Sequence, residues 1–330
     1  MCRHPLKARL PLIAPQWKKI HGSHARTHWI GAASLHIPRY LFGILLLVLL
    51  LTPVWAQQTA SVSWDPQTLE SGSPCMFTVR SPGSTAVTGT WQGHPLEFFR
   101  AAHDPETWYA IGGVDVAAKP GAYPLEIAVA NATQTQSLHR IVEISPASYK
   151  EIPLSVPQKF VEPDAASQKI IAADQELKRK VFADSSSVPL FSGRFLSPLK
   201  SAPSTDSFGT RRVFNGTLAS VHRGLDYRAK MRTPVRSTNS GRVVLARPLY
   251  FEGNCIVIDH GLGLTTIYMH LSKFEVKEGE RVTRGQLIAL SGKTGRANGP
   301  HLHLSVRWQG EYLDPAKLFL LKLPAPARRR

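Results

Sequence analysis

The chain has 330 residues, room for two ordinary domains and a leader, and 43% hydrophobic against 19% charged residues excludes disorder throughout. Its net charge of +17 sits largely at the ends: seven Lys/Arg precede Tyr40 with no acid among them, and Lys322, Arg328, Arg329 and Arg330 add four, leaving +6 on the body. That distribution argues against a nucleic-acid binder and is compatible with an anionic polymer as partner.

Residues 1–56 read as a leader. A basic stretch precedes the apolar run Tyr40 to Leu51, and Val54, Trp55 and Ala56 follow where a signal peptidase acts, so export with cleavage after Ala56 is expected. The run is short for a membrane span; an uncleaved anchor would be the chain's only membrane contact. Of the three cysteines, Cys75 and Cys255 fall in different expected domains, and they are read as buried free thiols rather than a bridge.

Residues 57–146 show short alternating runs broken by Gly, Pro, Asp and Ser: Val62 and Trp64; Phe77 and Val79; Leu125, Ile127 and Val129; Ile141 and Ile144. This patterning indicates an immunoglobulin-like β-sandwich without a chemical cluster, read as a spacing or docking module. A connector, 147–203, carries Pro153, Pro157 and Pro163 and a helix expected over 165–183, with Ile170, Ile171, Leu177, Val181 and Phe182 on one face. Residues 204–320 turn strand-rich again: 241–246, 254–260, 265–270 and 301–308 read as strands, with a basic tail, 321–330, behind them. The whole is expected to be mainly β.

The histidines of this last region are the informative ones. A catalytic zinc takes three His or carboxylate ligands and keeps a fourth position for water. His222 and Asp226 stand four apart, so an extended segment would aim both to one side, with Gly224 between them leaving room for an ion. A solvated His beside an unrelated Asp is the bland alternative. In His301-Leu302-His303-Leu304 the same rule puts two imidazoles on one face, where their nitrogens need polar partners. His270 is expected to end the strand that begins at Thr265. Ser291 and Ser305 lie in no nucleophile elbow, and Gly292 to Gly295 lacks the spacing of a phosphate loop.

With these residues in place, 204–320 resembles the lysostaphin-type (LytM-like) zinc metallopeptidases, metallopeptidase family 23. The HxxxD and HxH motifs carry the likeness, supported by Phe208-Gly209, Gly253-Asn254, Ile258-Asp259-His260-Gly261, Gly285-Gln286, Thr294-Gly295, Gly299-Pro300 and Asp314-Pro315. The resemblance implies an antiparallel, barrel-sandwich-like β domain with one zinc held by His222, Asp226 and His303. It implies His270 and His301 as flanking catalytic histidines and peptidoglycan as substrate, cut at its cross-links or stem peptides by a metal-activated water. A non-catalytic LytM-like regulator that activates other wall hydrolases is the rival reading. Arg211, Arg212 and Arg296 are cations that could meet stem-peptide carboxylates, although surface arginines are ordinarily just solvated. Where the family usually has Gly-Thr-Pro-Val, this chain has Arg232-Thr233-Pro234-Val235, expected to change a turn and not the site. His260 is read as structural.

Overall fold

The computed structural model describes residues 59–153, 164–214 and 217–327; the leader, Pro157 and Pro163 of the connector, and the last three arginines lie outside them. Nine strands form the N-terminal part: β1 (Ser61–Asp65), β2 (Leu69–Glu70), β3 (Pro74–Arg80), β4 (Ala86–Trp91), β5 (His94–Leu96), β6 (Phe99–Ala101), β7 (Asp104–Gly113), β8 (Gly121–Ala130) and β9 (Thr135–Ser145). They make two sheets, ordered β1-β3-β7-β6 and β2-β9-β8-β4-β5. Alternation decides which side chains are buried. On β8, Leu125, Ile127 and Val129 point inward and the residues between them outward. Ile141 and Ile144 are three apart on β9 and cannot share a face, so Ile144 is buried while Ile141 is 62% exposed. Trp91 is fully buried, its indole N–H donating to the Gly113 carbonyl at 2.8 Å.

The connector adds a strand that its prolines hid, β10 (Glu151–Pro153), and then the helix α1 (Ala165–Ala183) at the expected bounds. Asp164 caps α1 by accepting from the Ser167 amide at 2.7 Å. The apolar face of α1 is narrower than its sequence suggests: Leu177, Val181 and Phe182 pack on Leu245, Leu249, Cys255, Val257 and Ile267, while Ile170 stays 52% exposed.

The remaining strands are β11 (Ser204–Asp206), β12 (Arg211–Phe214), β13 (Thr217–Val221), β14 (Leu225–Arg228), β15 (Pro234–Arg236), β16 (Gly241–Leu249), β17 (Gly253–Asp259), β18 (Leu264–Phe274), β19 (Arg281–Val282), β20 (Leu287–Ser291), β21 (His301–Trp308) and β22 (Glu311–Leu313), followed by the short helix α2 (Pro315–Leu318). The antiparallel path β11-β14-β21-β18-β17-β16-β19 carries the site, while β10, β12 and β13 form a small separate sheet. On β21, Leu302, Leu304, Val306 and Trp308 are fully buried, each of the three aliphatic side chains worth roughly 1.5–3 kcal/mol. Leu302 and Leu304 belong to the core of this sheet, whereas Val306 and Trp308, with Leu313 and Leu318, join the cluster of the N-terminal sheets. Residues 57–330 accordingly cluster as one compact unit. Cys75 and Cys255 are both buried and unbridged.

Arg232 occupies the left-handed region at φ 65°, where an L side chain is disfavoured, which gives the family's usual glycine there a reason. His260 is fully buried in a polar chain. Its Nδ1 faces the Ser240 carbonyl and its Nε2 the Thr266 hydroxyl, each at 2.8 Å, and the ring meets Phe195 edge-on. Every polar atom of that ring is engaged far from open space, so its role is structural.

Candidate metal centre

Strand β21 supplies His301 and His303 to one face, with the leucines turned to the core as their spacing predicts. Its neighbour β14 places Asp226 directly opposite His303, and on the other side β18 places Met269 opposite it. Residues directly paired across antiparallel strands point to the same face. Asp226 and His303 therefore meet, with Asp226 Oδ1 2.7 Å from His303 Nδ1.

His222 arrives differently from the expectation. It does not share a strand with Asp226: β13 ends at Val221, β14 begins at Leu225, and Arg223 and Gly224 make a bend between them. Backbone bonds fix the bend, His222 N–H donating to the Thr210 carbonyl and Gly209 N–H to the His222 carbonyl. Gly224 does leave room, but for a side chain instead of an ion: a Cβ there would lie 2.4 Å from His303 Nε2. The result brings His222 Nε2 to 3.1 Å from His303 Nδ1 and 3.3 Å from Asp226 Oδ1.

His270 also departs from expectation, since β18 does not end there but runs on to Phe274. Opposite β17, Tyr268 pairs with Ile256 and Leu271 with Asn254, so β18 carries one extra residue, and His270 takes φ 61° in that bulge. A bulge re-aims a side chain that alternation alone would misplace. The His270 amide is held by the Glu252 carbonyl, and its ring stands 4.7 Å from that of His301.

His222, Asp226 and His303 form a possible metal-holding group among the described residues. Three donor atoms separated by 2.7 to 3.3 Å suit a tetrahedral ion, whose ligands at about 2.1 Å stand roughly 3.4 Å apart. Their outer nitrogens are already placed. His222 Nδ1 faces the Ser207 carbonyl at 2.9 Å, with Asp206 Oδ2 at 3.5 Å, and His303 Nε2 faces Ser305 Oγ at 2.8 Å. Such partners fix ring orientation and the nitrogen left for a metal. Ser305 continues the His301–His303 alternation, a signal present in the sequence; Asp206 and the Ser207 carbonyl left none.

The electrostatics favour a cation. Burial alone would raise the Asp226 pKa, but hydrogen bonds and charge from His222 and His303 outweigh it and hold the carboxyl far below its ordinary range. Burial would depress His222, yet Asp226 and the Ser207 carbonyl move it upward on balance. For His303 burial prevails and the shift is downward. His270 and His301 each direct Nδ1 to a carbonyl, Thr294 and Gly299 respectively, both at 2.8 Å. A neutral ring that donates from Nδ1 keeps Nε2 as an acceptor. Burial pushes His270 down to about 4, so at neutral pH it carries no charge.

The contacts Ser305–His303–Asp226 also trace a Ser-His-Asp chain. Ser305 is 1% exposed in mid-strand, out of reach of a substrate.

Known proteins resemble this part of the chain. Residues 220–315 match Peptidase family M23. The chain is 41% identical over 114 residues to the peptidoglycan DD-endopeptidase ShyA of Vibrio cholerae, covering 34% of this chain and 26% of that protein. It is 39% identical over 106 residues to the DD-carboxypeptidase/endopeptidase Mpg of Neisseria meningitidis serogroup B, covering 32% and 24%. The match thus spans about a quarter of these relatives' length. A crystal structure of a putative peptidase M23 from Pseudomonas aeruginosa is similar over 76% of this chain and 94% of that one, with a TM-score of 0.56 at 25% identity.

Proposed function

We propose, from the M23 domain over residues 220–315, that the chain is a zinc metalloendopeptidase acting on the peptides of bacterial peptidoglycan. The observation that carries the reading is the convergence of His222 Nε2, Asp226 Oδ1 and His303 Nδ1 on one point, with His270 and His301 beside it. The wall substrate draws on the names of ShyA and Mpg. The leader read as an export signal fits a target outside the cytoplasm.

Zinc held by these three residues supplies a Lewis acid and a bound water of near-neutral pKa. The chain's own residues do the rest. His270, uncharged at neutral pH, and His301 both turn Nδ1 to a carbonyl, so Nε2 of either can take a proton from water and return it to the leaving amine. His301 Nε2 is 3.9 Å from Asp226 Oδ1, close to the ligand set but outside hydrogen-bonding range of it. The Gly299 and Thr294 carbonyls hold both tautomers, so the acceptor nitrogens need no reorganisation.

The N-terminal sheets are read as an immunoglobulin-like sandwich, because β1-β3-β7-β6 opposite β2-β9-β8-β4-β5 follows the two-sheet strand order of that fold. A regulator without catalysis is the weaker reading, since the metal group and both flanking histidines are all in place. The test is mass spectrometry of muropeptides after digestion by the purified chain, with zinc counted in the same sample. Cleavage of a peptide cross-link with about one zinc per chain supports the reading, and metal-free protein that binds wall without cutting it refutes it.

A further inference from the structure

Two arginines are tied to opposite sides of the metal centre. Arg212 on β12 donates to Asp206 at 2.9 Å, and Asp206 approaches His222 Nδ1 at 3.5 Å. The Nε of Arg212 is buried and meets no acceptor among the described residues. Arg296 stands on the His270 side, two residues beyond the Thr294 carbonyl that faces His270 Nδ1. Its guanidinium lies over the Phe251 ring, 4.5 Å from the centroid, and its amide donates to the Phe251 carbonyl at 2.9 Å. Among the described residues nothing accepts a hydrogen bond from that guanidinium.

Nearby acids do not satisfy these cations. Asp206 is shared between Arg212 and His222, and Glu252 is paired with Lys178. Burial and then the charge of Arg212 press the Arg296 pKa downward, and Glu252 offsets them only in part, so the two like charges lie close enough to feel one another. Arg211 is different, because it is paired with Glu151 at 3.0 Å. A planar fork held flat on an aromatic ring, with a second cation near and donors free, is suited to a carboxylate.

We propose that Arg212 and Arg296 together bind a free carboxylate carried by the substrate next to its scissile bond. This rests on the peptidase reading and narrows it to stem peptides whose residue at that position is a free acid, with the amidated form disfavoured. Arg296, fixed by Phe251, is the main contact, and the half-buried guanidinium of Arg212 supplies the second cation.

The test uses the full chain and two synthetic cross-linked peptide dimers, identical except for a carboxylate or a carboxamide beside the scissile amide. The carboxylate form should have kcat/KM about tenfold higher, as charge-assisted hydrogen bonds are stronger than neutral ones. Arg296→Gln should bring the ratio close to one, Arg296→Lys should restore part of it, and Arg212→Gln should lower it. Equal kcat/KM for the two dimers in the unsubstituted chain, or an unchanged ratio in Arg296→Gln, overturns the proposal. Calorimetric titration with the same dimers separates the carboxylate contact from catalysis. If neither dimer is cut, the peptidase reading fails, yet tighter binding of the carboxylate form that Arg296→Gln abolishes still upholds the contact. Equal binding of both forms removes it.

Discussion

The hydroxyl of Ser305 stands 2.8 Å from Nε2 of His303, whose Nδ1 is 2.7 Å from Asp226. Ser305 is buried out of reach of a substrate, so the contact serves to orient the ring, and one substitution tests that. If Ser305 only orients the ring, Ser305→Ala weakens zinc affinity by about 10- to 100-fold and leaves turnover substantial at saturating zinc. Competition with a chelator and rates across a zinc titration would check this. A loss of turnover that added zinc does not restore would return Ser305 to the reaction.

His303→Ala and His301→Ala should separate. The first removes a donor of the converging set and should abolish zinc retention and activity together. The second should keep most of the zinc while turnover falls by about 10²- to 10⁴-fold, the usual contribution of general acid–base catalysis. Metal analysis beside muropeptide digestion decides it; equal zinc loss in both variants would make His301 a ligand.

Gly224→Ala should mimic the loss of a ligand although it alters no donor. The added Cβ would fall 2.4 Å from His303 Nε2 and 2.6 Å from the Leu304 carbonyl, so ring or strand must move. Zinc content well below one per chain in an otherwise folded variant is the expected outcome, and full zinc with full activity would contradict it.

His260 predicts an acid-sensitive stability. Burial lowers its pKa to about 4 from an ordinary 6.5, so between those values the unfolded chain binds a proton that the folded chain refuses. Unfolding free energy therefore falls as pH drops from about 6.5 to 4, by on the order of 3 kcal/mol from this residue, and the contribution is intact above 6.5. Denaturant midpoints across that range should be steeper in pH for the unsubstituted chain than for His260→Gln. Parallel curves would rule the residue out.

Arg232→Gly should stabilise slightly. Relief of a left-handed L residue is worth about 1–2 kcal/mol, offset in part by the greater freedom of glycine in the unfolded chain. A rise in Tm of a few degrees with unchanged zinc content would fit, and a fall would mean that the arginine makes a compensating contact.

What the sequence discloses follows from which forces are local. Period-two spacing put His301 and His303 on one face and Leu302 and Leu304 on the other, because a strand's alternation is a property of its own backbone. The span of α1 was legible for the same reason, its apolar spacing being a matter of neighbours in sequence. The bend at Gly224 and the bulge at His270 were not. Each exists because another strand presses there, the His303 ring against Gly224 and β17 against the extra residue of β18. Asp206 was missed too, since nothing near it in sequence hints that it comes within 3.5 Å of His222. Ile141 failed by simple parity, three positions from Ile144 where a shared face needs two or four.

The division of β21 between two apolar clusters has a genetic consequence. Its His303 end rests on Leu302 and Leu304, and its far end on the cluster that also contains Phe77, Trp91 and Leu125, a cluster that includes none of His222, Asp226 and His303. Alleles that hollow out the N-terminal sheets, Trp91→Ala among them, should loosen one anchorage of the strand that holds the histidines. A screen for null mutants would then recover them beside His303 alleles. They would be distinguishable by temperature: conditional for the distant class and absolute for the ligand class.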